Sequence, residues 1–254
     1  DVVSVGEMKK SLTNGVSSNK IVFSGVGKTR GEIKYALNKN IKQLNVESEE
    51  ELDEIAQITK NLRKKVNICL RVNPDVDAQT HFKISTGKLE DKFGIPNSQI
   101  LEVFKKFCNH KYINIVGLSI HIGSQIQSLK PFKNAFKKIK KQIIDLRSHG
   151  FTIKVLDLGG GIGIRYKCND TIIDIRDYCN LIEELFLDMN LEIIIEPGRF
   201  LVGSSGILLS SVIRVKKGEK KNFIIIDAGM NHLIRPAMYD AHHEVFPIFK
   251  NNKK

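Results

Sequence analysis

Three adjacent glycines, Gly159, Gly160 and Gly161, follow directly on the apolar run 154–158. Bare backbone amides in such a run can approach an anion closely, so a phosphate cradle is the chemistry they suit, with a tight turn as the plainer alternative. Two better-known phosphate motifs fail on single residues. Gly159 and Gly161 lack the third glycine of a dinucleotide fingerprint, because Ile164 stands there. Gly27-Lys28-Thr29 lacks the first glycine of a P-loop, because Val22 stands there. Glu196-Pro197-Gly198-Arg199 closes another apolar run and sets a carboxylate three residues before a guanidinium, where a surface ion pair is the alternative. His121 ends the run 115–121 shortly before Ser124, and a lone histidine there could equally be a satisfied core residue. Asn45 and Glu47, then Arg71, Asn73 and Asp75, then Asp157, hold the same place relative to their own runs. A flat ring, a carboxylate, a phosphate cradle and an anion-binding arginine at one rim would suit a phosphorylated heteroaromatic cofactor and a carboxylate substrate.

One rim requires elements that end side by side. The strand candidates are 2–5, 21–24, 42–46, 66–72, 115–121, 154–158 and 192–196. Amphipathic helices lie between most of them. One opens on Ser48-x-x-Glu51, a capping box, and continues its apolar face through Leu52, Ile55, Ile58 and Leu62. Others run over 132–146 and about 174–188, the latter turning Tyr178, Leu181, Ile182 and Leu185 inward. Strand–helix alternation means parallel strands with helical crossovers, which either an open sheet or a barrel satisfies. Polar groups after so many successive strands meet at one mouth only if the sheet closes, which favours a barrel with its site at the carboxyl ends. After about 206 two apolar runs joined by a polar turn predict an antiparallel pair. The expected domains are therefore 1–205, an α/β barrel, and 206–254, the start of a β domain ending at the polar tail Lys250–Lys254.

The 254 residues carry 40 basic and 28 acidic side chains, a net charge of +12. That surplus invites a nucleic-acid reading, but five of the lysines (Lys133, Lys137, Lys138, Lys140, Lys141) surround one apolar stripe of Phe132, Ala135, Phe136, Ile139, Ile143 and Leu146. This is the solvated face of an amphipathic helix, without the interleaved aromatics of a stacking platform, so no nucleic-acid partner is expected. No apolar run reaches membrane-spanning length, and the N-terminus does not read as a signal peptide. Cys69, Cys108, Cys168 and Cys179 show neither paired nor metal-ligand spacing, which fits free thiols in a reducing cytoplasm, with no metal site.

Eight blocks, in order, resemble the diaminopimelate decarboxylase family of pyridoxal-phosphate enzymes, whose barrel is of the alanine-racemase type. They are Ile21–Thr29, Leu44–Glu50, Leu70–Asp77, Ile84–Gly87 with Lys92–Gly94, His121–Gln125, Leu156–Gly161, Glu196–Arg199 and Asp227–Glu244. The related ornithine and arginine decarboxylases share the triple glycine and the Glu-Pro-Gly-Arg run, whereas Gln125 and the block Arg235–Tyr239 favour the diaminopimelate branch. The resemblance implies a (β/α)8-type TIM barrel missing its first strand, and pyridoxal 5'-phosphate as cofactor. It implies that His121 stacks on the pyridine ring, that Glu196 faces the ring nitrogen, and that Ser124, Gly159, Gly160 and Gly161, with the amides around Pro197, Gly198 and Arg199, hold the phosphate. Arg199 and Arg235 would bind substrate carboxylate, with Tyr239 beside them. The reaction implied is conversion of meso-diaminopimelate to L-lysine and CO2 by a homodimer.

Two departures follow from the same comparison. The family's Schiff-base lysine lies on a first strand that this chain, beginning at Asp1, does not include, and Lys28 is not in that context. The Cys-Glu segment that relatives contribute across their dimer is also absent. The expectation is an inactive fragment, with seven strands, two open edges and poor solubility. A non-catalytic homologue, or a decarboxylase of another basic amino acid, are the alternatives.

Overall fold

The computed structural model describes residues 1–77 and 92–249. Of the sequence features above, Ile84–Gly87 and the tail Lys250–Lys254 lie outside them. Six parallel strands follow one another in space as in sequence: β1 (Val22–Phe23), β2 (Gln43–Val46), β3 (Val66–Asn73), β5 (Ile113–Ser119), β6 (Val155–Asp157) and β7 (Glu192–Ile194). The short β4 (Ile95–Pro96) pairs with the end of β3. Helices α1 (Val5–Thr13), α2 (Arg30–Lys39), α3 (Glu49–Leu62), α4 (Ile100–Phe107), α5 (Leu129–Ser148) and α6 (Ile175–Phe186) separate them.

Two side-chain contacts show how far the sheet curls. Strands lie about 4.8 Å apart, so in a flat sheet β2 and β6 would be roughly 14 Å from each other. Yet Asn45 on β2 donates to Asp157 on β6 at 2.8 Å, and Lys42 before β2 pairs with Glu192 on β7 at 2.6 Å. The sheet is therefore most of a barrel, in which β1, β2 and β6 are buried and β7 is half-buried. Gly117 assists the curl. It follows the residue that the β3–β5 register skips, and a Cβ on it would come 1.8 Å from the Val155 carbonyl oxygen of β6. Outside, α5 and α6 meet through Phe132, Phe136, Tyr178 and Phe186, whose ring centroids lie 5.2–6.0 Å apart.

The strand expected at 2–5 is a correction. Only Val2 pairs, as a single bridge to Phe23, and Ser4 then caps α1 by accepting the Glu7 amide at 3.2 Å. The capping signal overrides a short β-branched run. The Ser48 capping box is half right: Ser48 accepts the Glu51 amide, but the Glu51 carboxylate reaches back to the Glu47 amide and to Lys28. The reciprocal box forms instead at α2, between Thr29 and Glu32. Lys28 thus has a structural post, buried among Gly25 O, Asn45 O and Glu51. Beyond α7 (Gly198–Val202), β8 (Val212–Lys216) and β9 (Phe223–Ile226) form an antiparallel pair, followed by α8 (Arg235–Tyr239).

Candidate active site

The carboxyl ends of the curled strands surround a cavity of about 530 Å3. Each of the six consecutive strands supplies lining: Ser24 after β1, Asn45 on β2, Arg71 on β3, Ser119 on β5, Asp157 on β6 and Glu196 after β7. His121, Phe93, Pro197 and Gly198 complete the rim.

The three glycines bring the loops around this rim into contact. A Cβ at Gly159 would fall 2.3 Å from Ile120 O, one at Gly160 2.0 Å from Glu196 O, and one at Gly161 2.1 Å from Gly123 O. Gly159 and Gly161 also have positive φ, +66° and +94°. Only bare backbone fits where the loops after β5, β6 and β7 cross. The first two amides are spent within the site, Gly159 on Asp157 Oδ1 at 2.9 Å and Gly160 on His121 Nδ1 at 3.2 Å. Close packing is therefore the run's first task.

His121 is neutral. Burial and the nearby Arg71 guanidinium hold its pKa down to about 4. Since Nδ1 accepts the Gly160 amide, the ring proton belongs on Nε2. Arg71 is held by Glu47 at 2.7 Å, lies over the Phe93 ring at 4.9 Å, and reaches the His121 carbonyl at 3.5 Å. Glu47 in turn accepts the amides of Gly25 and Gly94. Opposite them, the Glu196 and Asp157 carboxyl groups line the same cavity. Burial first, and then the Asp157 charge, push Glu196 up to about 8. Its Oε1 is buried without a hydrogen-bond donor among the described residues.

Of the residues singled out in the sequence, His121, Glu196, Pro197 and Gly198 line the cavity, with Gly159, Gly160 and Gly161 packed directly behind them. Arg199 stands one step outward and donates to Gln125 Oε1 at 3.3 Å. Ser124 lies in the loop whose neighbour Gly123 meets Gly161. Arg235 and Tyr239 on α8 are not part of the lining. Arg235 lies over the Tyr166 ring at 4.8 Å and contacts His243 at 3.0 Å, so α8 packs on the loop after the glycine run. Sequence reasoning placed Asn45, Arg71 and Asp157 at strand ends without giving them roles, and it missed Ser24, Phe93 and Ser119. Among the described residues, no group of three or more His, Cys, Asp or Glu side chains is placed to hold a metal ion, and no helix is long and apolar enough to cross a membrane.

Residues 1–203 match the family model described as the pyridoxal-binding domain of pyridoxal-dependent decarboxylases. The chain belongs to this family. Among curated pyridoxal-dependent decarboxylases, diaminopimelate decarboxylase of Zymomonas mobilis is 44% identical over 96% of the chain and 58% of its own length. That of Aquifex aeolicus is 41% identical over all of the chain and 60% of its own length. A crystal structure of diaminopimelate decarboxylase from Helicobacter pylori complexed with L-lysine superposes with a TM-score of 0.95 at 41% identity, over 98% of this chain and 63% of that one. The chain thus spans about three fifths of the length of the relatives it matches.

Proposed function

We propose that the chain forms the cofactor-binding body of a diaminopimelate decarboxylase, converting meso-diaminopimelate to L-lysine and CO2 with pyridoxal 5'-phosphate. The observation that carries the reading is the meeting of His121, the glycine run and Glu196 at the mouth of one curled parallel sheet. Relatives 40–45% identical support the substrate, as do two solved decarboxylases, from Helicobacter pylori and M. jannaschii, each in complex with L-lysine.

The residues fit the cofactor. A carboxyl group in the cavity lining, at Glu196, suits a protonated ring nitrogen, and a neutral His121 ring fixed by the Gly160 amide offers a flat stacking face. When bound, pyridoxal 5'-phosphate supplies the electron sink for the carbanion left as CO2 departs. Glu196 holds a proton at the ring nitrogen, and His121 covers one ring face. Ser124, the Gly161 amide and the turn from Pro197 through Gly198 to Arg199 hold the phosphate, with Gly159 and Gly160 shaping the cradle. Arg199 and Arg235 orient substrate carboxylate, since a guanidinium fork fixes direction as well as charge, and Tyr239 stands beside Arg235. The working enzyme is a cytoplasmic homodimer, a state that sedimentation of the full-length protein reads directly.

No lysine lines the cavity among the described residues, and Lys28 is committed to Glu51. Borohydride reduction in the presence of pyridoxal 5'-phosphate is therefore expected to trap no lysine of residues 1–254 stoichiometrically. For the full-length protein, CO2 release from meso-diaminopimelate should exceed that from lysine, ornithine or arginine. Equal or higher release from one of those three overturns the substrate, and failure to bind pyridoxal 5'-phosphate overturns the family chemistry.

A further inference from the structure

Asp157 is fully buried at the end of β6 and lines the same cavity as Glu196, whose carboxyl group feels its charge. Two fixed donors reach it: Asn45 Nδ2 at 2.8 Å on Oδ2, and the Gly159 amide at 2.9 Å on Oδ1. Asn45 cannot turn over without loss. Its Oδ1 accepts Gln43 Nε2 at 3.0 Å, so a flipped amide would set N–H against N–H. The Oε1 of Glu196, by contrast, is buried with no donor. Two neighbouring carboxyl groups in a buried site cannot both ionise freely, and their other partners decide which keeps the proton. The donors select Asp157 for the charge and leave Glu196 the acid.

We propose that Asp157 is a positioning residue for Glu196: a fixed buried anion, held by Asn45 and Gly159, that keeps one shared proton on the Glu196 carboxyl and so equips it to protonate a heteroaromatic ring nitrogen. The second half of this statement rests on the cofactor reading above; the shared proton does not. Glu196 gives up its proton by breaking its O–H bond as an N–H bond forms on the ring, and no electrons change hands. The Asp157 charge beside the ionised Glu196 would then hold that proton on the ring nitrogen, because two carboxylates would face the cation. The pKa of Asp157 is also raised, by its burial, as expected of a pair that binds one proton tightly. The other charged group facing the pair is Arg71 on β3, which opposes proton retention. Cys69 on β3 and Tyr178 on α6 lie beside Asp157, both kept neutral by burial.

The test is an NMR titration of the full chain without cofactor, carrying carboxyl-labelled glutamate, with the Glu196 signal assigned by its absence in Glu196→Gln. The wild type should titrate near 8. Asp157→Asn should lower that value by about one unit or more, because a neighbouring like charge is gone. Asn45→Ala should raise it, because the anion loses a donor and holds the shared proton harder. General loosening of the site would lower both, so opposite signs exclude it. A Glu196 that titrates in the ordinary carboxylate range, or that ignores either substitution, overturns the proposal. If Asp157→Asn does not fold, the Asn45→Ala arm decides alone: an upward shift supports the shared proton, and no shift or a downward one overturns it. With pyridoxal 5'-phosphate labelled at the ring nitrogen, the ring should stay protonated to higher pH in the wild type than in Asp157→Asn. Failure to bind the cofactor would remove the functional reading while the cofactor-free titration still stands or falls by itself.

Discussion

His121 and Glu196 are displaced from their ordinary pKa values in opposite directions, and together they set how the site responds to pH. His121 falls from 6.5 to about 4, so its contribution to stability is present above 6.5 and is lost as pH drops through 4. Glu196 rises from 4.5 to about 8, so its contribution is complete below 4.5 and is lost as pH climbs through 8. Between 4.5 and 6.5 the two slopes cancel, and above 6.5 only the Glu196 loss remains. Urea unfolding of the cofactor-free chain should therefore give lower stability at pH about 8.5 than at about 6, and Glu196→Gln should flatten that decline. A decline unchanged in Glu196→Gln would assign it elsewhere. Arg71 carries a larger single-residue cost. Arg71→Ala strands the buried Glu47 carboxylate, and breaking such a pair costs about 3–5 kcal/mol, readable as a fall in the urea midpoint. The glycine run, His121 and Glu196 were legible because each ends or directly follows an apolar run, so local sequence already aims them at one end of a strand. The Asn45–Asp157 contact was not, because its partners stand 112 positions apart and meet only through the curl of the sheet.

Elements were legible where one periodicity dominated. The stripe from Phe132 to Leu146 on α5 is buried as its spacing requires, and α6 and β3 follow the same rule. Failures came where two local signals competed. At residues 2–5 a β-branched pair met a serine cap, and the cap prevailed because it satisfies an amide that a lone edge strand would leave to solvent. At Glu51 the carboxylate found Lys28 and the Glu47 amide, partners that a four-residue pattern cannot contain. Two substitutions grade these contributions. Phe136→Ala opens the ring cluster between α5 and α6 and should cost about 3–5 kcal/mol. Thr29→Ala removes only the α2 cap and should cost about 1 kcal/mol. Equal shifts in thermal midpoint for the two would contradict the view that tertiary packing, not capping, holds the outer helices.

At the scale of the molecule, charge and exposed apolar surface oppose each other. Ile225 and Ile226 are neighbours on β9, and such neighbours point to opposite faces, yet both are exposed. Neither face of the β8–β9 pair is covered, and Ile207, Leu209, Val215 and Ile224 add surface that is 58–93% exposed. A two-stranded pair is marginal by itself, and apolar surface of this extent favours association. Against this stands the net charge of +12, which repels like molecules over a Debye length of about 10 Å at 0.1 M salt and only about 3 Å at 1 M. The isolated chain of 254 residues should consequently self-associate more strongly as salt rises, the reverse of an association held by ion pairs. Sedimentation velocity across that salt range checks the sign. Ile213→Thr with Ile224→Thr should suppress the large species while leaving the circular dichroism of the barrel unchanged. A chain that stays monomeric at 1 M salt, or associates only at low salt, would show that the β8–β9 surface is not what drives it.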